Sequence, residues 1–200
     1  MAMYQSKENG RNQATFYTPA FESDVTESFA LANELKEALG TNQFVLNYQP
    51  QVDLYSGEIV GVEALIRWYH PTRGFIPPDK FIRIAEQHGH ILELGKWILH
   101  QACMDRKKWL DAGLDHFRVA VNISIKQFEQ ADFVELVLSK LEKTGLDARY
   151  LELEITEGIA MAEPEIVIEK LKRLKAHNLY ISIDDFGMGY SSLNYLKRLP

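Results

Sequence analysis

The stretch SIDDFGMGYSSL, residues 182–193, sets two aspartates, Asp184 and Asp185, side by side where an apolar run opens into a loop with two glycines. The preceding segment LYISID (179–184) has the composition and alternation of a β-strand that ends at this pair. Adjacent carboxylates repel each other, so a strand that leaves the core at two of them needs a partner that offsets their charge. Whether other strands end in the same way indicates what that partner is.

Outward from this stretch, strand-like segments alternate with helical ones. The strand-like segments are residues 44–50, 59–68, 117–123, 150–155 and 179–184. The helical segments are residues 24–39, 78–89, 91–112, 132–144 and 163–177, and a turn around Ser56-Gly57 joins the first two strands. Strands that alternate regularly with helices predict an α/β fold with a parallel sheet or barrel.

The strands share one side-chain pattern. In residues 150–155, Leu151, Leu153 and Ile155 lie on one face, while Glu152 and Glu154 lie on the other. The other strands repeat this division, and their polar faces carry the residues Asn47, Gln49, Glu63, Arg67, Asn122, Ser182 and Asp184. For any single one of these residues, a solvent-exposed position at a strand end is the simpler interpretation. Together with Asp185, the acids and the amide near the strand ends favour a set that converges at the carboxyl rim of a barrel.

The converging set has the chemistry of a metal site. Its members are Glu63, Asn122, Glu154, Asp184 and Asp185, which supply oxygen ligands and neither histidine nor cysteine. Oxygen ligands of this kind suit a hard cation such as Mg²⁺ or Mn²⁺. Five such residues are enough for two ions, the arrangement that clamps both oxygens in a phosphoryl displacement.

Composition excludes several classes of protein. The 200 residues are 46% hydrophobic and 25% charged, as expected of a globular chain with a sizeable core. The net charge of −6 argues against a nucleic-acid polymer as partner, because such binding depends on Lys and Arg. Cys103 is the only cysteine, which excludes an intrachain disulfide. No stretch reaches the roughly 18 apolar residues of a membrane span and no signal peptide opens the chain, so we expect a cytoplasmic protein without membrane contact.

Five motifs, in order, resemble the EAL domains, the bacterial cyclic di-GMP phosphodiesterases. They are YQPQVDL (48–54), VEALIRW (62–68), VNIS (121–124), ELEITEG (152–158) and IDDFGMGYSSLNYLKRLP (183–200). The resemblance covers about residues 44–200 and implies a TIM-like barrel that hydrolyses cyclic di-GMP to linear pGpG with Mg²⁺ or Mn²⁺.

By motif position, the resemblance implies that the metal ligands are the five residues named above, with Glu63, Asp184 and Asp185 central to catalysis. It implies substrate contacts from Gln49, Leu65 and Arg67. It also implies that Glu157 anchors the loop after Asp185, although an acid in the first turn of the next helix explains Glu157 nearly as well. A cyclic di-GMP sensor without hydrolytic activity is the alternative function.

The N-terminal residues carry a second resemblance. Residues 1–17, MAMYQSKENGRNQATFY, are similar to the closing segment of GGDEF domains, the diguanylate cyclases. We therefore expect a GGDEF tail over residues 1–22, a linker helix over 23–40 and an EAL domain over 41–200, with a disordered leader as the alternative for the first segment. The apolar stripe of the linker helix is predicted at Val25, Phe29, Ala32, Leu35 and Leu39. A role of this stripe in docking a partner protein is the third functional hypothesis.

The chain departs from the family pattern in two places. Met188 stands where the family usually has threonine. The family pattern also continues beyond Pro200, with a lysine that holds the attacking water and a further metal-binding glutamate. We therefore expect a barrel that is incomplete in this chain, with about five of eight strands, and little or no hydrolysis by the 200 residues alone. A homodimer that completes the barrel is left open as a further partner.

Overall fold

A computed structural model describes residues 19–160, 164–184, 187 and 199. Its helices are α1 (Pro19–Ala38), α2 (Pro78–His88), α3 (Ile91–Asp111), α4 (Ile125–Glu129), α5 (Phe133–Thr144), α6 (Glu157–Ala160) and α7 (Pro164–Ala176). Its strands are β1 (Phe44–Val52), β2 (Ile59–His70), β3 (Gly74–Ile76), β4 (Arg118–Ile123), β5 (Leu151–Thr156) and β6 (Tyr180–Asp184). A short 3₁₀ turn, Ala148–Tyr150, leads into β5.

The strands form one mixed sheet in the order β1-β2-β4-β5-β6, with β3 paired to the outer part of β2. The pairs β2–β4, β4–β5 and β5–β6 are parallel, because long crossovers containing helices separate them in sequence. The predicted α/β fold with a parallel sheet is confirmed. The first pair, β1–β2, is instead an antiparallel hairpin around the predicted turn.

The five predicted strands form the main path of the sheet, and the described residues add one short strand, β3, that was not predicted. Strand β3 has three residues and pairs with Trp68, Tyr69 and His70 across a tight turn. Three residues are too few for a periodic pattern to emerge, and the same reason explains why the five-residue helix α4 was not predicted.

Side-chain burial confirms the two faces of the strands. Leu151, Leu153 and Ile155 are at most 1% exposed and pack under the helices, in a core shared with Val119 and Val121. The alternate residues of β5 are half-buried, on the opposite face of the sheet. That opposite face is the inner face of the curved sheet, and we call it the lumen face. The site residues of the strands all belong to it.

Helix α1 packs on the outer side of β1, β2 and α2 through a second core. The members of this core include Leu31, Leu35, Ala38, Phe44, Trp68 and Phe81, each at most 4% exposed. The predicted apolar stripe was wrong in part, because Phe29 is 58% exposed and Leu31 takes its place in the core. Leu31 and Leu35 are four residues apart and therefore share one face.

Ion pairs hold the polar side of α1 against the turn between β2 and β3 and against α2. Arg73 Nε donates to Glu34 Oε2 at 2.8 Å, and Lys80 Nζ donates to Glu27 Oε1 at 2.8 Å. All four side chains are partly exposed, so each pair contributes about 0–1 kcal/mol. Burial of Leu31 and Leu35 therefore stabilises the packing more than these pairs do.

A buried guanidinium closes the end of the sheet where the parallel strands begin. Arg106 of α3 is fully buried, with Nε donating to the Phe117 carbonyl and Nη1 to the Leu114 carbonyl, both at 2.9 Å. Its guanidinium carbon lies 4.4 Å from the ring centres of Phe117 and Tyr150. These contacts fix the segment between α3 and β4.

Among the described helices, none is long and apolar enough to cross a membrane.

Candidate functional site

Strand register brings the predicted residues of β4, β5 and β6 to one end of the lumen face. Asn122 lies opposite Glu154, and Glu154 lies opposite Ser182. Asp184 lies two residues farther along β6, opposite Thr156. Parallel strands point their carboxyl ends the same way, so these side chains collect at one rim.

Strands β1 and β2 bring two more predicted residues to the same face. Glu63 of β2 lies opposite Gln49 of β1 across the antiparallel pair. The Nδ2 atom of Asn122 donates to Glu63 Oε1 at 2.7 Å, although the two residues are 59 positions apart in the chain. This bond uses the amide nitrogen and leaves the amide oxygen of Asn122 as a donor of electron pairs to a cation.

The carboxyl of Glu154 has a perturbed acidity. Burial is the main cause, and the nearby carboxylates of Glu63, Glu152 and Asp184 add to it, raising the pKa of Glu154 to about 7. A hydrogen bond from the Gln51 side chain opposes the rise. Several acids on one half-buried face thus disfavour the ionised form of Glu154, and a bound cation would relieve that repulsion.

Gln51 reaches the lumen face over a glycine. Its partner in the hairpin is Gly61, and a Cβ atom at Gly61 would lie 2.5 Å from Gln51 Oε1. The missing side chain therefore makes room for the Gln51 amide to extend toward Glu154. This contact crosses two intervening strands, so it depends on the curvature of the sheet, which the sequence does not display. Its one sequence signal is that Gln51 shares a face with Gln49.

An ion pair lies on the same face, nearer the amino-terminal ends of β4 and β5 than the rim acids. Arg118 Nε donates to Glu152 Oε2 at 3.1 Å, and the Arg118 guanidinium carbon lies 4.0 Å from the ring centre of Tyr180. Arg118 begins β4, and Glu152 and Tyr180 are partners in the β5–β6 register. Arg118 offsets part of the negative charge of Glu152, although this carboxylate still contributes to the raised pKa of Glu154.

Glu157 contacts the loop that follows Asp185. It is the first residue of α6, is 6% exposed, and accepts a hydrogen bond from the Gly187 backbone N–H through Oε2 at 2.9 Å. The two interpretations of Glu157, loop anchor and first-turn acid, are compatible in this geometry. Asp185 and Met188 lie outside the described residues.

The two remaining predicted residues continue along β2. Leu65 and Arg67 are partly buried and alternate with the buried Ala64 and Ile66, so they share the lumen face with Glu63. Arg67 Nη1 donates to the Ile66 carbonyl at 2.9 Å. Arg67 thus places a guanidinium on the lumen face, on the carboxyl-terminal side of Glu63 along β2.

The donor chemistry of the rim fits a hard divalent cation. Glu63, Glu154 and Asp184 supply carboxylates and Asn122 an amide oxygen. Within the described ranges, no three side chains of His, Cys, Asp or Glu lie close enough to hold an ion by themselves. Asn122 offers an amide oxygen in addition to these residue types, and Asp185 lies outside the described residues. A complete set of metal ligands at this rim would therefore include Asn122 and Asp185, together with the carboxylates of β2, β5 and β6.

Comparison with known proteins gives consistent matches over the whole chain. A family model described as the EAL domain matches residues 32–200. The chain is 43% identical over 199 residues to the bifunctional diguanylate cyclase/cyclic di-GMP phosphodiesterase MucR of Pseudomonas aeruginosa. It is 44% identical over 200 residues to the cyclic di-GMP phosphodiesterase NbdA of the same organism. These matches cover all of the chain but only 29% and 26% of the two relatives, so the chain spans less than a third of their length.

Solved structures agree with these matches. The PaMucR phosphodiesterase in its c-di-GMP complex superimposes with a TM-score of 0.83 at 45% identity, covering 86% of this chain and 69% of that one. The EAL enzyme Bd1971, in its cAMP and cyclic-di-GMP bound form, superimposes with a TM-score of 0.80 at 33% identity, covering 99% and 52% of the two chains. The predicted TIM-like fold type is thereby confirmed.

Proposed function

The chain belongs to the EAL domain family, and from that premise we propose that it takes part in the hydrolysis of cyclic di-GMP to linear pGpG with Mg²⁺ or Mn²⁺. Water adds its oxygen to one phosphorus, the bond to a ribose oxygen breaks, and that ribose oxygen leaves with a proton. The observation that supports the proposal best is the convergence of Glu63, Asn122 and Glu154 on one rim, where neighbouring acids raise the pKa of Glu154.

We assign the metal ligands to Glu63, Asn122, Glu154, Asp184 and Asp185. Two divalent ions bound there would supply the charge that activates water and stabilises the phosphoryl oxygens. The residues themselves fix the positions of that charge. Asn122 orients the Glu63 carboxylate through its 2.7 Å hydrogen bond, and the Arg118–Glu152 pair keeps the charge of Glu152 from adding fully to that of the rim.

Substrate contacts follow from the side chains that flank the acids. Arg67, held by the Ile66 carbonyl, offers a guanidinium to a phosphodiester oxygen. Gln49, opposite Glu63, offers an amide beside the same group. Leu65 supplies an apolar surface to a base, and Glu157 holds the Gly187 end of the loop after Asp185.

We also propose that the family context extends upstream. Residues 1–22 are assigned to a GGDEF tail, 23–40 to a linker helix and 41–200 to the EAL domain. The bifunctional name of MucR, which matches along 199 residues, supports this assignment. Helix α1, Pro19–Ala38, covers most of the proposed linker and packs on the sheet.

The proposal is tested in the full-length protein by chromatography of pGpG with Mg²⁺, with Mn²⁺ and with EDTA. The Glu63→Ala variant is expected to lower kcat by about 10²-fold or more, as loss of a group that stabilises transition-state charge commonly does. Glu58→Ala is the matched control, because Glu58 is an exposed acid immediately before β2, at the end of that strand away from the rim.

The same samples separate an enzyme from a sensor. Hydrolysis that needs metal and is lost in Glu63→Ala, but not in Glu58→Ala, supports the proposal. Tight binding of cyclic di-GMP in Mg²⁺ without pGpG formation by the wild-type protein would contradict it and establish a sensor instead.

A further inference from the structure

The short helix α4 begins three residues after the proposed ligand Asn122. Ser124 is its N-cap, and Gln127 completes a reciprocal capping box. Gln127 Oε1 accepts from the Ser124 backbone N–H at 3.1 Å and from the Ser124 hydroxyl at 2.8 Å, while the Gln127 backbone N–H donates to Ser124 Oγ at 3.3 Å. These bonds fix the peptide that ends β4.

The side chain of Gln127 is seated on a helical glycine. Gln127 is 6% exposed, and a Cβ atom at Gly95 of α3 would lie 1.9 Å from Gln127 Nε2 and 2.3 Å from its Cδ. Glycine in the interior of a helix costs about 0.5–1 kcal/mol relative to alanine. The close approach of the amide accounts for a glycine at position 95.

Two lysines hold the remainder of α4. Lys170 of α7 is 9% exposed, and its Nζ donates to the carbonyls of Phe128 at 2.6 Å and Gln130 at 2.9 Å, at the C-terminal end of the helix. Lys126 Nζ donates to the Glu86 carbonyl of α2. A five-residue helix is not stable by itself, so contacts with α2, α3 and α7 determine its place.

The position of α4 determines where Asn122 points. Asn122 is exposed, and its side chain is held in the structure by the 2.7 Å bond to Glu63, whereas its neighbour Ile123 is 3% exposed. The route from the packed helices to the rim therefore runs through the backbone of residues 122–124. Tilting α4 moves the amide of Asn122 and, through it, the carboxylate of Glu63.

We infer that Gln127, seated on Gly95, is a positioning residue that fixes Asn122, and with it Glu63, in the geometry that binds divalent metal. This inference rests on the proposed function, since it takes Asn122 and Glu63 as metal ligands. Gln127 acts through the Ser124 cap and touches neither metal nor substrate. Groups that orient metal ligands in this indirect way change metal affinity or activity by about 10–100-fold when removed.

The test compares two replacements of nearly equal length in the full-length protein. Gln127→Glu keeps an oxygen that accepts both Ser124 bonds, in the position that glutamate occupies in capping boxes. Gln127→Met removes the acceptor but retains the volume. Binding of Mn²⁺ is measured by electron paramagnetic resonance without substrate, and kcat and KM are then measured with cyclic di-GMP.

We expect Gln127→Met to weaken Mn²⁺ binding and lower kcat by about tenfold, with KM changed less than about threefold, because the ligands and not the substrate contacts move. Gln127→Glu is expected to stay within about twofold of the wild-type protein. The double variant Gly95→Ala/Gln127→Ala removes the same hydrogen bonds, and its methyl group at position 95 fills part of the space left by the Gln127 side chain. We expect it to lose Mn²⁺ affinity and kcat as Gln127→Met does, so it provides the test if Gln127→Met folds poorly.

Asp147→Ala is the matched control. Asp147 also caps a helical turn, accepting from the Arg149 backbone N–H at 3.0 Å, but at the opposite end of β5 from the rim. It is expected to lower the melting temperature without changing Mn²⁺ affinity. Wild-type Mn²⁺ affinity in folded Gln127→Met, or equal losses in Gln127→Glu and Gln127→Met, would overturn the inference. Normal Mn²⁺ binding without hydrolysis by the wild-type protein would refute the proposed function alone.

Discussion

Metal binding at the rim should depend steeply on pH between 6 and 8, because the proton of Glu154 competes with the metal. A carboxyl with a pKa of about 7 is ionised in about one molecule of eleven at pH 6 and about ten of eleven at pH 8. Apparent affinity for Mn²⁺ should therefore rise about tenfold over this range. With the ordinary glutamate value, the same calculation gives a change of only about 3%.

The neighbours of Glu154 provide a way to move this midpoint. Glu63, Glu152 and Asp184 raise the pKa, a hydrogen bond from Gln51 lowers it, and Arg118 is bonded to Glu152. Glu152→Gln removes one of the neighbouring charges and leaves the rim acids in place. Its pH midpoint for Mn²⁺ binding should shift to lower pH, whereas the exposed-site control Glu58→Gln should not shift it.

Stability without metal should show the opposite trend. A carboxyl whose pKa is raised in the folded state binds more protons folded than unfolded, so its stabilising contribution is present below pH 4.5 and is lost as pH rises through about 7. Saturating Mg²⁺ should offset that loss, because it binds the ionised folded state.

These expectations are measured by electron paramagnetic resonance of Mn²⁺ at pH 6, 7 and 8 without substrate, and by thermal unfolding with Mg²⁺ or EDTA. Affinities that agree within about twofold at pH 6 and pH 8 would refute the reasoning, since they would require a Glu154 pKa near its ordinary value. An unchanged midpoint in Glu152→Gln would show that this neighbouring carboxylate does not set it.

Two further predictions concern other buried groups. Arg106→Met should destabilise the fold by about 2–4 kcal/mol in urea unfolding, since the carbonyls of Leu114 and Phe117 lose their donors, and a loss below about 1 kcal/mol would contradict this. Glu157→Ala should lower kcat about tenfold or more, because the Gly187 N–H loses its acceptor, whereas Glu157→Gln, which still accepts, should retain most activity in the pGpG assay. Equal losses of kcat in Glu157→Ala and Glu157→Gln would indicate that the negative charge of Glu157, and not its hydrogen bond to Gly187, supports activity.

Alternation within strands was predictable because its period of two is imposed by the backbone and survives any tertiary context. The division of β5 into buried leucines and lumen-facing glutamates follows from six letters of sequence. The convergence of Asn122 and Glu63 followed from the same pattern once the strands were taken as parallel neighbours. The placement of these two residues was therefore accessible without coordinates.

Contacts made by tertiary packing were not predictable in this way. The Ser124–Gln127 capping pair is a sequence signal for the start of helix α4, but the contacts with Gly95 and Lys170 that hold this short helix in place arise only from packing. The approach of Gln51 to Glu154 depends on how strongly the sheet curves. The stripe of α1 was placed on Phe29 because several registers of a helix give similar apolar faces, and only packing against β1 and β2 selects Leu31.

The antiparallel hairpin β1–β2 puts its turn far from the chemistry. Residues 53–58 join the strands at the end opposite the rim, about 13 Å along β2 from Glu63 at the usual rise per residue. Leu54 and Tyr55 are 96% and 101% exposed, and Asp53 braces the turn by accepting from the backbone N–H groups of Tyr55 and Ser56. This turn is consequently the place for a fluorescent label or a peptide insertion that reports on the protein while leaving the rim undisturbed.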